Sequence, residues 1–354
     1  MSHHLNLLRQ TLKPHLQWHG ARLNFLALFL IALFRVKTVN LCDLATGFIS
    51  NAKTNSNYKR LQRFLREFNL DYYELAKLVV KMMNIPEPWV LSVDRTEWKF
   101  GCKVFNILTL GIVHQGVAFP ILWWMLDKKG NSNTQERIDL LEDLIELFCE
   151  HKIAYLSADR EFVGHDWLQY LLSQPMMSFR IRLRETDCLS DGKHSLSARI
   201  VFSHLKIGQF ELLNRRRLLW GHWIYVGALR LEDNSLLIVI SPEYHSSLID
   251  DYAQRWGIET LFGIFKSRGF NLEDTHLQDS ERLSRLFALL TIALCWAYRT
   301  GEWLSEQKPI TIKKHGRKSK SVFRYGFDYL RRILFNLQQF EADFFHSLCF
   351  LSCT

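Results

Sequence analysis

Four side chains in the stretch YAQRWGIETLFGIFKSRG (252–269) are of types that do chemistry together: the phenol Tyr252, the cations Arg255 and Lys266, and the acid Glu259. At about 100° per residue they fall within an arc of roughly 60° on an α-helix. That arc lies beside Ile258, Leu261, Phe262 and Phe265, which belong against a core. A guanidinium can grip a phosphate through two parallel hydrogen bonds. Lysine adds a point charge, and tyrosine a hydroxyl or a stacking face. Gly263 lies about 20° from the stripe, where it costs roughly 1 kcal/mol against Ala unless it admits a nucleic-acid backbone. Trp256, beside the stripe, reads equally as a base-stacking or a core residue.

Two further acids stand at the ends of apolar runs. Asp94 closes VLSVD, where an ionised side chain buried without a partner costs several kcal/mol. Asp159 ends IAYLSAD at the point where a strand presents its last side chain to a crevice. Each alone reads as a salt-bridged or surface carboxylate. If the two converged with Glu259, repulsion would raise their pKa values, and divalent cations would keep all three ionised. Oxygen-only ligation suits Mg²⁺ or Mn²⁺. Two such ions about 3.5–4 Å apart serve in-line phosphoryl displacement by a water or a 3′-hydroxyl.

The elements that must position these residues follow from pattern. Residues 1 to about 84 read as helical, and SNYKRLQRFLREF (56–68) sets Lys59, Arg60 and Arg63 around a Leu61, Phe64, Leu65 stripe. Those cations mark either a solvated face or a DNA-contacting one. NIPEPWV (84–90) is a boundary. Three strand-like runs follow, 89–100, 104–113 and 116–126, then a helix capped by Asn133 and Glu136. A buried strand at 153–159 and a helix from about Val163 complete an α/β pattern. Residues 176–243 are β-rich and basic. A single helix is expected from about Ser246 to Ser267, another near 281–298, and then a basic stretch, KKHGRKSK (313–320).

With these residues in place the chain resembles the DDE transposases of bacterial insertion sequences, specifically the insertion sequence four group. The spacing Tyr252-x2-Arg255-x3-Glu259-x6-Lys266 is similar to that group's tyrosine–arginine–glutamate–lysine signature. DRTEW (94–98) and ADREF (158–162) resemble its two acidic boxes. The resemblance implies a ribonuclease H-like α/β core at 85–300 with a β-rich insertion at about 176–243. It places a helical DNA-binding domain at 1–84 before the core and a basic helical region at 301–354 after it. It implies that Asp94, Asp159 and Glu259 are the catalytic, metal-binding triad, and that Tyr252, Arg255 and Lys266 hold DNA phosphates. It also implies recognition of terminal inverted repeats by the N-terminal helices and the basic 313–332 segment, and a homodimer on double-stranded DNA. Trp220 and Trp223 are candidates for stacking a flipped base, though sheet packing suits both better. Glu97, Glu161, Asp166 and Asp127 occupy no signature position.

The bulk properties agree. A net charge of +9 favours a polyanionic partner such as nucleic acid, though an anionic membrane surface would also fit, and the apolar runs at 23–34 and 286–298 fall short of the roughly 18 to 20 residues of a bilayer span. Seven dispersed cysteines form neither a CxxC nor a zinc quartet, as expected of reduced thiols in a cytosol. The expected setting is the bacterial cytoplasm, at the nucleoid and away from membranes. Two alternatives stay open: a metal-dependent nuclease or junction resolvase sharing the acids, and an inactive DNA-binding derivative.

Overall fold

Five helices precede the sheet: α1 (Ser2–Leu12), α2 (Gly20–Val36), α3 (Leu41–Gly47), α4 (Thr54–Glu67) and α5 (Tyr72–Met83). The computed structural model describes residues 2–100, 103–126, 128–175, 177–314 and 316–352, so Asp127 lies outside the described residues. In α4 the Leu61, Phe64, Leu65 stripe is buried, while Lys59 and Arg63 are exposed and Arg60 is half-buried. α2 is buried continuously from Phe25 to Phe34, as a helix apolar all round must be. No single described helix is long and apolar enough to cross a membrane; α2 and α3 qualify by length and composition only as a pair bent by 104°.

Strands β1 (Trp89–Phe100), β2 (Lys103–His114) and β3 (Val117–Leu126) form an antiparallel meander. Its second turn has positive φ at both Gln115 and Gly116, the tight form that matches strand twist. α6 (Thr134–Phe148) begins at a full capping box between Asn133 and Glu136. β4 (Ile153–Ala158) then adds parallel to β1, α7 (His165–Ser173) follows, and β5 (Ser178–Leu183) adds parallel to β4.

The β-rich segment continues this sheet. β6 (Cys188–Ser190), β7 (Ser195–Ser197), α8 (Ala198–Val201), β8 (Phe210–Leu212) and β9 (Arg217–Leu219) lead to β10 (His222–Arg230) and β11 (Leu236–Ser241). The order is β3-β2-β1-β4-β5-β11-β10-β9-β6-β7, with β8 paired to β10. Because β11 pairs with β5, the sheet runs on into the region expected as an insertion.

The helix expected over 246–267 is broken. α9 (Leu248–Ala253) and α10 (Trp256–Gly263) are joined by tight i→i−3 bonds, Arg255 to Tyr252 and Ile258 to Arg255, and Ile264–Arg268 widens into a π-helical turn. A tight turn and a wide one both depart from 3.6 residues per turn, so the uniform spacing of about 100° per residue that the stripe assumes does not hold along this segment.

After a short 3₁₀ turn (Leu272–Asp274) come α11 (Ser280–Gln307), α12 (Val322–Phe335) and α13 (Glu341–Cys349). α11 is the hub, buried almost all round from Leu283 to Tyr298. Its Arg285 donates to the terminal carbonyls of α4, those of Leu65 and Phe68 at 3.0 and 2.6 Å, which a helix end otherwise leaves unpaired. One apolar cluster runs through the N-terminal helices, the sheet, α11 and α12, so the buried surface is continuous across residues 84 and 300. α13 packs in cis, with Phe344 and Leu348 buried and Trp296 donating to the Ser347 carbonyl.

Candidate active site

Side chains alternate along a strand, so residues two apart share a face. β1 and β4 pair with Ser92 opposite Ser157 and Val93 opposite Ala158. Asp94 and Asp159 come next in that register, on the same face, at the point where β4 stops and β1 runs on. Strand ends of this kind open a crevice. Glu259 reaches it from α10, which can lie directly on the β2–β3 hairpin because Gly257 has no Cβ. A methyl there would come within 3.0 Å of Val113 and 3.1 Å of the Ala118 nitrogen.

A buried arginine joins two of the three. The Arg255 guanidinium donates from Nη1 to Asp94 Oδ2 at 3.1 Å and from Nη2 to Glu259 Oε1. Tyr252 donates its hydroxyl to Asp159 Oδ1 at 3.3 Å. Side-chain exposure rises from 4% for Arg255 through 15% for Asp94 and 28% for Asp159 to 39% for Glu259. Arg255 is therefore the floor of the crevice, and its Nε is buried with no partner. Burial works to lower the Arg255 pKa, but Tyr252, Asp94, Asp159 and Glu259 outweigh it and hold the guanidinium charged. Burial raises the Tyr252 hydroxyl above its ordinary range, so it stays protonated and donates.

Asp94 is pushed up to about 7, chiefly by burial, against the pull of Arg255 and the Arg95 amide, with Glu161 and Asp159 adding repulsion. The native state thus holds the proton more tightly than the unfolded chain, whose carboxyl titrates near 3.8. The stability this confers is complete below pH 4 and is lost as pH rises through 7. Asp94→Asn, which imitates the protonated form, is expected to gain in melting temperature relative to the native chain between pH 4.5 and 8 in metal-free buffer. A difference that shrank over that interval would mean Asp94 is stabilised as the anion.

The remaining expected residues separate. Lys266 is half-buried, its Nζ 5.2 Å from the centre of the Trp98 ring on the crevice face. Trp256 is 60% exposed under the Arg255 guanidinium, which removes the core reading. Gly263 packs against the Arg268 side chain of its own chain, at 3.4 Å from an added Cβ. Trp223 is 47% exposed, contrary to the expectation of sheet packing, while Trp220 is partly buried in a β9–β10 turn at positive φ. Lys59, Arg60 and Arg63 lie on α4, outside this crevice, and form no ion pair among the described residues.

Two arginines were not singled out in the sequence. Arg95, pointing to the opposite face, bonds both oxygens of Glu161 at 3.2 Å and the side chains of Asn106 and Asn131, tying together the loops beyond β3 and β4. Glu161 therefore belongs to the scaffold, Glu97 faces solvent beside Lys99, and Asp166 is exposed. Arg182 on β5 lies 3.9 Å from Asp159. The alternation in SFRIRL, two cations at i and i+2 of an apolar strand, carries the same signal that singled out Asp94.

Three carboxylates without nitrogen or sulfur donors match the chemistry of a hard divalent ion. As the side chains stand, Arg255 supplies the cation between Asp94 and Glu259. Among the described residues no three His, Cys, Asp or Glu side chains are grouped closely enough for an ion.

An acidic crevice at strand ends, bordered by cations on a basic chain, suits phosphoryl transfer on a polyanion. Residues 85–296 match the family described as "Transposase DDE domain". The chain belongs to that family: it is a DDE transposase, an enzyme of DNA phosphoryl transfer. No curated protein sequence matches it. Among solved structures it is similar to a piggyBac transposase synaptic complex with hairpin DNA, determined by cryo-electron microscopy. That likeness has 12% identity and a TM-score of 0.49, over 93% of this chain and 77% of that chain.

Proposed function

We propose that this chain is a cut-and-paste transposase of the bacterial insertion sequence four group. It would cleave double-stranded DNA at inverted repeats and join the freed 3′-hydroxyl to target DNA, as a homodimer in the cytoplasm. The observation that carries this reading is the meeting of Asp94 and Asp159, 65 residues apart in the chain, on one face of adjacent strands, with Glu259 linked to Asp94 through Arg255. A ribonuclease H-like core is supported by the order β3-β2-β1-β4-β5, with β4 and β5 parallel to β1. Dimerisation rests on the resemblance alone.

Asp94, Asp159 and Glu259 are the residues that would hold Mg²⁺ or Mn²⁺, which when bound neutralises charge on the attacking and leaving oxygens. The chain's own part is positional. Arg255 keeps Asp94 and Glu259 together while DNA is absent, and a phosphate offers its guanidinium a bidentate partner. Tyr252 orients Asp159 through its hydroxyl. Lys266 holds a phosphate along β1, four residues from Asp94, or about 13 Å at strand spacing.

The test is incubation of purified protein with duplex DNA carrying the sequences that flank its reading frame, in Mg²⁺, with the products sized. Discrete cuts at the repeat ends and joined products are expected; random nicking without joining would favour a nuclease. In the same system Lys266→Ala is expected to reduce the slope of log K against log salt by about one unit. An unchanged slope would take Lys266 out of the phosphate contacts.

A further inference from the structure

We propose that Arg182 is a DNA phosphate-binding residue on the side of the acids opposite Lys266, so that the strand being cut crosses the sheet face from β1 towards β5. This deepens the reading above and rests on it. Ser157 pairs with Arg180, so Arg182, two residues on, shares the crevice face with Asp159 and Asp94.

The bonding of two arginines on one strand then separates their roles. Arg180 is tied into its own chain: Nε donates to Asp251 at 3.0 Å, and Nη1 lies within 2.8 to 3.0 Å of the Ser178 hydroxyl, the Phe179 carbonyl and the Ser241 hydroxyl. The Arg182 side chain makes no hydrogen bond to any described residue. Its nearest acid oxygen, on Asp159, is 3.9 Å from Nη1, beyond hydrogen-bonding reach, and its Nε is buried without a partner. Asp233, a further acid whose charge acts on it, is already engaged by the Ser235 amide and hydroxyl at 3.0 and 2.6 Å. A guanidinium has five donors, and leaving buried donors unmet is costly and rare in folded proteins. An arginine held for architecture would look like Arg180. One held for an oxyanion outside the chain looks like Arg182.

Lys266 sits over Trp98, beyond Asp94 along β1, while Arg182 sits beside Asp159 on β5. The acids lie between the two cations. A polyanionic strand fixed at both cations would be drawn across the carboxylates, whose own charge repels it. Arg182 is thus a positioning residue for the substrate, and bidentate geometry makes lysine an imperfect replacement.

The test uses the full-length protein and duplex DNA carrying its flanking repeats, with one neutral methylphosphonate substituted in turn at each phosphate near the end. Wild type is expected to lose affinity when the phosphate next to the cut on one side is neutralised. Arg182→Ala should be insensitive at that phosphate, with a salt slope lower by about one unit and an unchanged unfolding midpoint. Arg182→Lys should recover the slope but not the full cleavage rate. An Arg182→Ala variant with wild-type slope and wild-type methylphosphonate pattern overturns the proposal. So does one that merely unfolds more easily, which would make Arg182 a structural partner of Asp159. If Lys266→Ala flattens the slope and Arg182→Ala does not, this inference fails alone. If wild type neither binds nor cuts the repeats, the functional reading fails with it.

Discussion

Asp94→Asn, Asp159→Asn and Glu259→Gln, made singly, are each expected to lower the rate of DNA cleavage by at least about 10³-fold while leaving repeat binding within a few-fold of wild type. The reason is a division of labour in the crevice. The acids repel a phosphate strand, so removing one negative charge should not weaken binding; in the proposed reading, Lys266, Arg182 and the exposed cations of α4 provide the attraction. Catalysis instead needs all three oxygens around one region of positive charge. The contrast with a structural ion pair is sharp. If the Asp94–Arg255–Glu259 bridge existed for stability, removing Asp94 would cost about 3–5 kcal/mol, since a buried partner would be stranded. With its pKa pushed up to about 7, Asp94 is largely protonated below neutrality, and Asn replaces it at little cost there. Inactive protein of undiminished stability at pH 6 is the expected outcome. Single-turnover cleavage and a urea melt on the same preparations decide it: retained Mg²⁺-dependent nicking in any one variant removes that residue from the triad.

The second large effect lies far from the acids. Gly326→Ala is expected to destabilise the protein by about 3 kcal/mol or more, at the upper end for an overpacked contact. α11 and α12 cross with backbones in contact. A Cβ at Gly326 would stand 1.9 Å from the Ala297 carbonyl oxygen and 2.4 Å from the Gly301 nitrogen, and one at Gly301 would stand 2.1 Å from the Val322 oxygen. No side chain can swing aside there, so the helices must part. The consequence reaches the site: Phe323 and Phe327 of α12 pack against Phe270, and Phe323 closes on Gly269, directly after the turn that carries Lys266. Gly326→Ala should therefore lower the urea midpoint and weaken DNA capture together, whereas Gly20→Ala, with nothing within 4 Å of its added carbon, should leave the midpoint unlowered. Equal midpoints for the two variants would show that the crossing relaxes.

Local pattern was enough for most of the elements. The β1–β3 meander, the capped helix α6 and strand β4 with Asp159 following it all stand where apolar periodicity and turn residues put them. The Asp94 anomaly, a carboxylate in an apolar strand, was visible without coordinates, because hydrophobic alternation is written in adjacent residues. The same rule applied to SFRIRL would have found Arg182.

Three features needed the folded chain. The helical wheel assumes one uniform helix, and the tight turn at Arg255 and the π turn at Lys266 break that assumption. The partner of Arg255 lies 161 residues away, so its bond to Asp94 follows from the docking of α10 on the β2–β3 hairpin. Likewise Trp256 and Trp223 proved exposed, though tryptophan by composition favours a core.

Read alone, then, the order of residues determined which groups carry charge and where strands end, since both depend on neighbours within a few bonds. Only the tertiary structure decided which of those charges meet, because meeting depends on the parallel register of β1 with β4 and on Gly257 letting α10 close over them. Those are contacts between distant segments, settled by packing.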